Sequence, residues 1–373
     1  MNALKGTAAV TFVLLLAAVP GHAQQPTPLL PLTVEALAAV SNTSDAVDDP
    51  FLFLDATATV RLGRGFDAIV RPYVHRLPGG TWSAQMYQLQ VRYQSPTVIP
   101  VRVDAGIISS PLGLATLELR QDLNPTVGPP FYYFAPLPSF DGNPDRVLLL
   151  TGGYPIGAMV SASGGSWDAR AGVIDETPAR KRHVFESNGR PGALQVIAGG
   201  GYSPRPGLRI GAGFGKGPYR RTSGLASASN DDYIDGTVTA DQQAVPSTEN
   251  RNATVLNVET ELAFGYTRLS AEWIRDRFET DSAPAVARGF YVQAVQTITP
   301  RVFAATRFVR VSTPVFRNAT RTRRTSDSYE ATVGYRISPE LTLRGGYETS
   351  RWFTSSAWNH AAAASVVWAR RWF

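Results

Sequence analysis

Apolar and polar residues alternate along most of this chain with a period of two. Leu52, Leu54, Ala56, Ala58, Val60 and Leu62 form one apolar row, with Asp55, Thr57, Thr59 and Arg61 between them. Val101, Val103, Ala105 and Ile107 sit beside Arg102 and Asp104, and Leu208, Ile210, Ala212 and Phe214 enclose Arg209, Gly211 and Gly213. Tyr329, Ala331, Val333, Tyr335 and Ile337 alternate with Ser328, Glu330, Thr332, Gly334 and Arg336. Successive side chains of an extended strand point to opposite faces, so each row predicts a strand with one apolar and one polar face. A soluble β-sandwich shows the same dyads with the apolar face inside. Here too many consecutive segments share the pattern, and aromatics gather at segment ends, as they do at membrane interfaces.

The pattern predicts strands at 31–41, 52–62, 66–75, 82–94, 100–109, 146–161, 166–174, 192–203, 207–215, 253–265, 267–278, 288–298, 301–312, 326–337, 341–351 and 360–373. Gly152, Gly153 and Pro155 interrupt the sixth. An all-β chain of this length must close on itself or leave adhesive edges, so the expected fold is all-β: a transmembrane, antiparallel, up-and-down barrel. Sixteen strands is the count; fourteen and eighteen are the neighbouring even numbers. Counted back from Phe373, connections alternate in length. Short turns fall at 338–340, 299–300, about 266, 204–206, 162–165, 95–99 and 63–65, and are rich in Gly, Pro and Ser. The other connections include the long loops 110–145, 175–191, 216–252 and 313–325. A barrel with both termini in the periplasm requires this alternation.

Composition narrows the compartment. Lys5 precedes the apolar run Ala8 to Val19, and Gly21-His22-Ala23 places small residues before Gln24. That is a secretory signal, too short to cross a bilayer as a helix, so residues 1–23 are expected to be removed and 24–373 to form one barrel domain. Cysteine is absent, which excludes disulfides, thiol catalysis and thiolate metal sites. A net charge of +6 raises the question of nucleic acid, but acidic residues interleave with the basic ones, and an exported chain does not meet it.

The chain ends Val366-Val367-Trp368-Ala369-Arg370-Arg371-Trp372-Phe373. A final strand closing on Phe373 resembles the insertion signal of bacterial outer-membrane proteins, which implies the barrel-assembly machinery as a partner. Arg371 departs from the usual alternation; Val366, Trp368 and Trp372 indicate a locally shifted face. The plan as a whole resembles the general bacterial porins, with sixteen strands and a third loop folded into the pore. Pro111-Leu112-Gly113-Leu114 followed by Arg120-Gln121-Asp122 is similar to the start of that loop in porin-like proteins. The resemblance implies an outer-membrane channel for passive diffusion of small hydrophilic solutes, narrowed by 110–145. It also implies lipid and lipopolysaccharide as surroundings, and assembly as a homotrimer.

Such a pore needs charge at its narrowest point. Candidates in the loop are Glu118, Arg120, Asp122, Asp141 and Asp145. On the wall, Arg71, Arg92, Arg102, Asp104, Asp168, Arg170, Arg209, Glu259, Glu261, Glu272, Glu330, Arg336, Arg344 and Glu348 are predicted to face the lumen. Opposed acidic and basic rows would set a transverse field across it. Phe131, Tyr132, Tyr133 and Phe134 either pack the loop or bind ring-bearing solutes. Two other functions compete: a surface-binding barrel with a plugged lumen, and a transporter of apolar or aromatic solutes. No metal or cofactor is expected. Asp231, Asp232, Asp235 and Asp241 lack the spacing of a calcium loop. Arg317, Arg321, Arg323 and Arg324 either form a solvated loop face, the commoner case, or meet lipopolysaccharide phosphates.

Catalysis is not expected. His183 and Ser187 are four residues apart in a predicted loop, so one strand does not bring them together. Asp48 and Asp49 have no evident histidine partner.

Overall fold

The structure, a computed structural model, describes residues 32–44, 50–76, 80–95, 100–109, 112–113, 120–128, 137, 155–175, 194–220, 251–280, 283–317, 320–353 and 355–372. The expected signal segment, the long stretches of the outer loops and Phe373 lie outside them.

Sixteen antiparallel strands close into one barrel. They are β1 Leu32–Thr43, β2 Phe51–Gly63, β3 Phe66–Arg76, β4 Trp82–Gln94, β5 Val101–Ile107, β6 Ile156–Gly164, β7 Trp167–Ile174 and β8 Gln195–Arg205. There follow β9 Leu208–Arg220, β10 Arg251–Phe264, β11 Thr267–Phe278, β12 Ala285–Thr297, β13 Val302–Arg317, β14 Thr320–Arg336, β15 Leu341–Arg351 and β16 Asn359–Trp372. Each strand pairs with its chain neighbours. The first and last then pair with each other over ten residues, from Val34↔Trp372 to Thr43↔Ala363. That seam removes the two edges an open sheet would leave.

Faces follow the alternation. Outward positions carry Val40, Leu89, Val91, Val160, Val196, Ile210, Val258, Val333 and Val366, all exposed. Apolar side chains held outward around a whole closed sheet are what a lipid environment requires, and closure lets the backbone pair within the wall. Aromatics border this belt: Phe66, Trp167, Tyr202, Tyr266 and Tyr335 near the end holding both termini, and Trp273, Phe290, Phe308 and Tyr329 nearer the other. No helix among the described residues is long and apolar enough to cross a membrane.

Connections at the terminal end, the inner end, are tight. Two-residue turns fall at Arg64-Gly65, Gly165-Ser166, Pro206-Gly207 and Gly265-Tyr266. Gly207 sits at φ +80°, and a Cβ there would run into the carbonyl of Ala263. The outer end differs from expectation at one loop. Residues 313–317 and 320–325 are not loop: there β13 and β14 continue as a ladder, pairing Thr313↔Arg324 and Val315↔Thr322 out to Arg317↔Thr320. Thr313, Val315, Thr320, Thr322 and Thr325 are β-branched and favour extension, so the ladder outruns the apolar pattern. The sixth strand also begins at Ile156, ten residues later than expected, past Gly152, Gly153 and Pro155.

Arg371 is explained by register. It shares the lumen face with Val367 and Ser365 and lies 3.8 Å from Glu35, its cross-strand partner. Val366, Trp368, Arg370 and Trp372 form the outward row, the shifted face expected from the sequence, and Arg370 stacks over Trp372.

The native chain has no cysteine, so single cysteines report sidedness cleanly. Ser356→Cys should react with a membrane-impermeant maleimide in intact cells, whereas Ser166→Cys and Glu340→Cys should react only after the membrane is opened. Labelling of the last two in intact cells would invert the orientation.

Candidate functional site

The third outer connection enters the barrel. Ile108, just past β5, is buried with Met159, Ile174 and Ile197 on the lumen face of β6 to β8. Leu112 is next, buried against the lumen side of β9. A Cβ on Gly213 would stand 2.7 Å from its side chain, so glycine there makes room for the loop. Residues 120–128 then lie against β13 to β15 and β1. Because β9 and β1 are eight strands apart in a ring of sixteen, the two contact points are on opposite walls. Described parts of this connection thus touch opposite walls of the lumen.

Two wall arginines hold the far side. Arg344 of β15 sends Nη1 to the carbonyls of Gln121 (3.1 Å), Asn124 (2.5 Å) and Thr126 (2.8 Å). Its Nη2 donates to Gln121 Oε1 at 3.1 Å, and its Nε to Ser365 Oγ at 2.9 Å. Arg307 of β13 donates to Asn124 Oδ1 at 3.3 Å and to the Gly128 carbonyl. It also forms an ion pair with Glu330, its cross-strand neighbour, at 2.7 Å. The segment is folded on itself as well. Asn124 Nδ2 donates to Gly128 O at 2.7 Å, Thr126 Oγ1 donates to Asn124 Oδ1 at 3.1 Å, and Thr126 is fully buried. A guanidinium presents five N–H donors in a rigid fork, which suits it to bind several carbonyls at once.

Arg120 opens the segment. It pairs with Asp122 at 2.8 Å and reaches Glu35 of β1 at 3.3 Å. Burial is the largest influence and disfavours its charge, but the hydrogen bond it donates to Asp122 and the negative charges of Asp122 and Asp55 together hold its pKa above the ordinary arginine value. Glu118, Asp141, Asp145 and Phe131 to Phe134 lie outside the described residues.

The other wall candidates form two separate groups. On β4 and β5, Asp104 is buried between Arg92 and Arg102, each 2.8 Å away, and accepts from Gln90. On β7 to β10, Arg209 grips both oxygens of Asp168, at 2.9 and 3.0 Å, and meets Glu259 at 2.7 Å. Arg170 stands 3.8 Å from Glu259. Gly199, Gly201, Gly211 and Gly213 pave the wall beneath, and Arg209 lies flat over Gly201. Register sets acid beside base on some neighbouring strands, as in Arg92↔Asp104 and Arg307↔Glu330, and acid beside acid on others, as in Glu259↔Glu272 and Glu330↔Glu348.

Sequence reasoning did not single out Arg307, Glu35 or Asp55, nor the cluster beside them. Asp55 forms a 2.5 Å ion pair with Arg71, which lies over the Tyr87 ring. Tyr73 stacks on Tyr87 and meets Phe53 edge-on, each with ring centroids 4.2 Å apart. Phe53 and Tyr73 are at most 3% exposed and pack inside the cluster, with Tyr87 half-buried against them. The signal for Arg307 was legible: it interrupts the otherwise apolar row Phe303, Ala305, Val309, Val311. No group of His, Asp and Glu among the described residues is arranged to hold a metal.

No protein-family model and no curated protein matches this sequence. Solved structures do match in shape. A loop-deletion form of OmpT, an outer-membrane protein of Vibrio cholerae, superposes with a TM-score of 0.54 at 12% identity, over 92% of this chain and 99% of that one. OmpF of Salmonella typhi, solved with daunomycin, gives 0.55 at 12%, over 91% and 97%. An anion-selective porin from Comamonas acidovorans gives 0.52 at 12%, over 92% and 99%. The chain thus has the porin-type fold of a bacterial outer-membrane β-barrel.

Replacing Arg344 by Ala leaves three loop carbonyls without their donor, at a cost of about 2–3 kcal/mol. Limited trypsin digestion of the folded barrel should then cut at Arg120, which wild type resists. Equal resistance would mean that the clamp does not hold the loop.

Proposed function

We propose that this barrel is a passive channel for small hydrophilic solutes, narrowed where residues 120–128 lie against the inner wall of β13 to β15 and β1. One observation carries the reading. A polar loop segment is held inside the barrel by Arg307 and Arg344, which bind mainly its backbone. A plug meant to move would gain little from so many charged hydrogen bonds. A fixed ledge that sets the pore width needs them.

The lumen chemistry supports polar cargo. Its wall carries Asp104, Asp168, Arg170, Arg209, Glu259 and Glu330 in local ion pairs, which keep the passage wet without a dominant sign of charge. Exclusion is then by size, with modest ion preference. On this reading the protein transports by diffusion and is not an enzyme.

Purified barrel in a planar bilayer should give stable, ohmic current, and Arg307→Ala with Arg344→Ala should raise single-channel conductance roughly twofold by freeing the ledge. A barrel silent in both forms defeats the channel reading. Neutralising Arg102, Arg170 and Arg344 together should move reversal potentials in a salt gradient toward cation preference; an unchanged potential would place those residues away from the narrowest point.

A further inference from the structure

The outer wall of β11 to β15 carries a charge pattern that conduction does not use. Trp273, Phe290, Phe308 and Tyr329 mark one level on four neighbouring strands, through the pairs Trp273↔Phe290 and Phe308↔Tyr329. Just beyond them, toward the outer end and on the same lipid-side face, stand Arg275 and Arg277 of β11, Arg288 of β12, Arg310 of β13, Arg323 of β14 and Arg351 of β15. Two carboxylates share this face. Asp327, 1% exposed, is held between Arg310 at 2.6 Å and Arg351 at 2.7 Å. Glu279 accepts from Asn252 at the strip's edge.

Arg275 and Arg288 are the telling pair. They are direct cross-strand partners on one face. Like charges so placed repel, with Cβ atoms about 5 Å apart. Neither they nor Arg277 has a carboxylate partner among the described residues. Elsewhere on this face Asp327 stands between its cross-strand partners Arg310 and Arg351; between Arg275 and Arg288 there is no such acid. An arrangement of that kind is stable when an anion lies between the guanidinium groups. The neighbours above the aromatic level are the headgroups of the outer leaflet, and guanidinium forks match phosphate geometry.

We propose that this face binds a phosphate-bearing glycolipid of the outer leaflet. Its phosphates bridge Arg275 to Arg288 and reach Arg310, while its acyl chains lie on the aromatic and aliphatic wall below. Arg323 adds a fixed point: it donates to Ser312 Oγ at 3.0 Å and is braced across β13 before any lipid arrives. Of the four arginines weighed for lipopolysaccharide from the sequence, Arg323 belongs to this strip; the rest of the strip is on the barrel wall. The proposal rests on placement in the outer membrane and not on conduction.

The test uses the full-length barrel, stripped of lipid, in phosphatidylcholine nanodiscs containing bisphosphorylated lipid A or its enzymatically dephosphorylated form at equal mole fraction. Native mass spectrometry counts retained glycolipid. Wild type should retain the bisphosphorylated form on the order of tenfold better. R275Q/R288Q/R310Q should lose that preference, and the inner-end control R301Q should keep it. R275K/R288K/R310K should keep part of it, which separates loss of charge from a failure to fold. Conductance should stay at the wild-type value throughout, so this test and the channel test can fail independently. Equal retention of the dephosphorylated lipid, or unchanged preference in the glutamine variant, overturns the proposal. Full displacement by an equal concentration of inorganic phosphate overturns it too, since the site would then take a free anion.

Discussion

In hydrocarbon there is no water to satisfy a backbone N–H or C=O, so a strand that spans the membrane must be paired on both sides. The ten-residue seam between β1 and β16 meets that demand, and the rest of the molecule depends on it. Once the sheet is closed, the alternation of side chains divides every strand into a lipid face and a lumen face, with no other assignment available. Outward rows become aliphatic between two aromatic levels. Inward rows are free to carry charge, because the pairs they form are shielded from lipid by the wall itself.

Within that wall, the lumen is shaped by what the strands omit as well as by what they carry. Glycines on β8 and β9 remove side chains where Leu112 and Arg209 must lie close to the sheet. Across the barrel, Arg307 and Arg344 supply the opposite condition: long side chains that reach inward to a loop. A bare wall on one side and two grips on the other give the loop a seat and a tether. Either without the other would leave the segment loose or excluded.

The fold was largely legible in the sequence, because period-two alternation and turn residues are local and the lipid enforces them. The strand count and the inner turns came from that; the alternation of connection lengths holds except between β13 and β14, where the outer connection is as short as an inner turn. What sequence did not reveal depends on lateral register. Residues 313–325 look like a loop because their apolar alternation fades, yet β-branched threonines continue the ladder once β13 and β14 are aligned. Face assignment alone did not say which charges are neighbours. Only pairing shows that Arg92 faces Asp104 across one strand gap. Likewise Arg120, Asp122 and Arg344 were singled out separately, and their meeting, together with the role of Arg307, required the loop to be placed.

The clamp on that loop reads main chain more than side chain. Arg344 takes the carbonyls of Gln121, Asn124 and Thr126, and Arg307 takes that of Gly128. Every amino acid offers the same carbonyl, so the anchorage is nearly indifferent to which residues the segment displays toward the passage. Architecture and selectivity are thereby uncoupled. Exchange of side chains along the ledge can retune what passes while the ledge stays where it is, which makes this short stretch a natural place for divergence and for redesign.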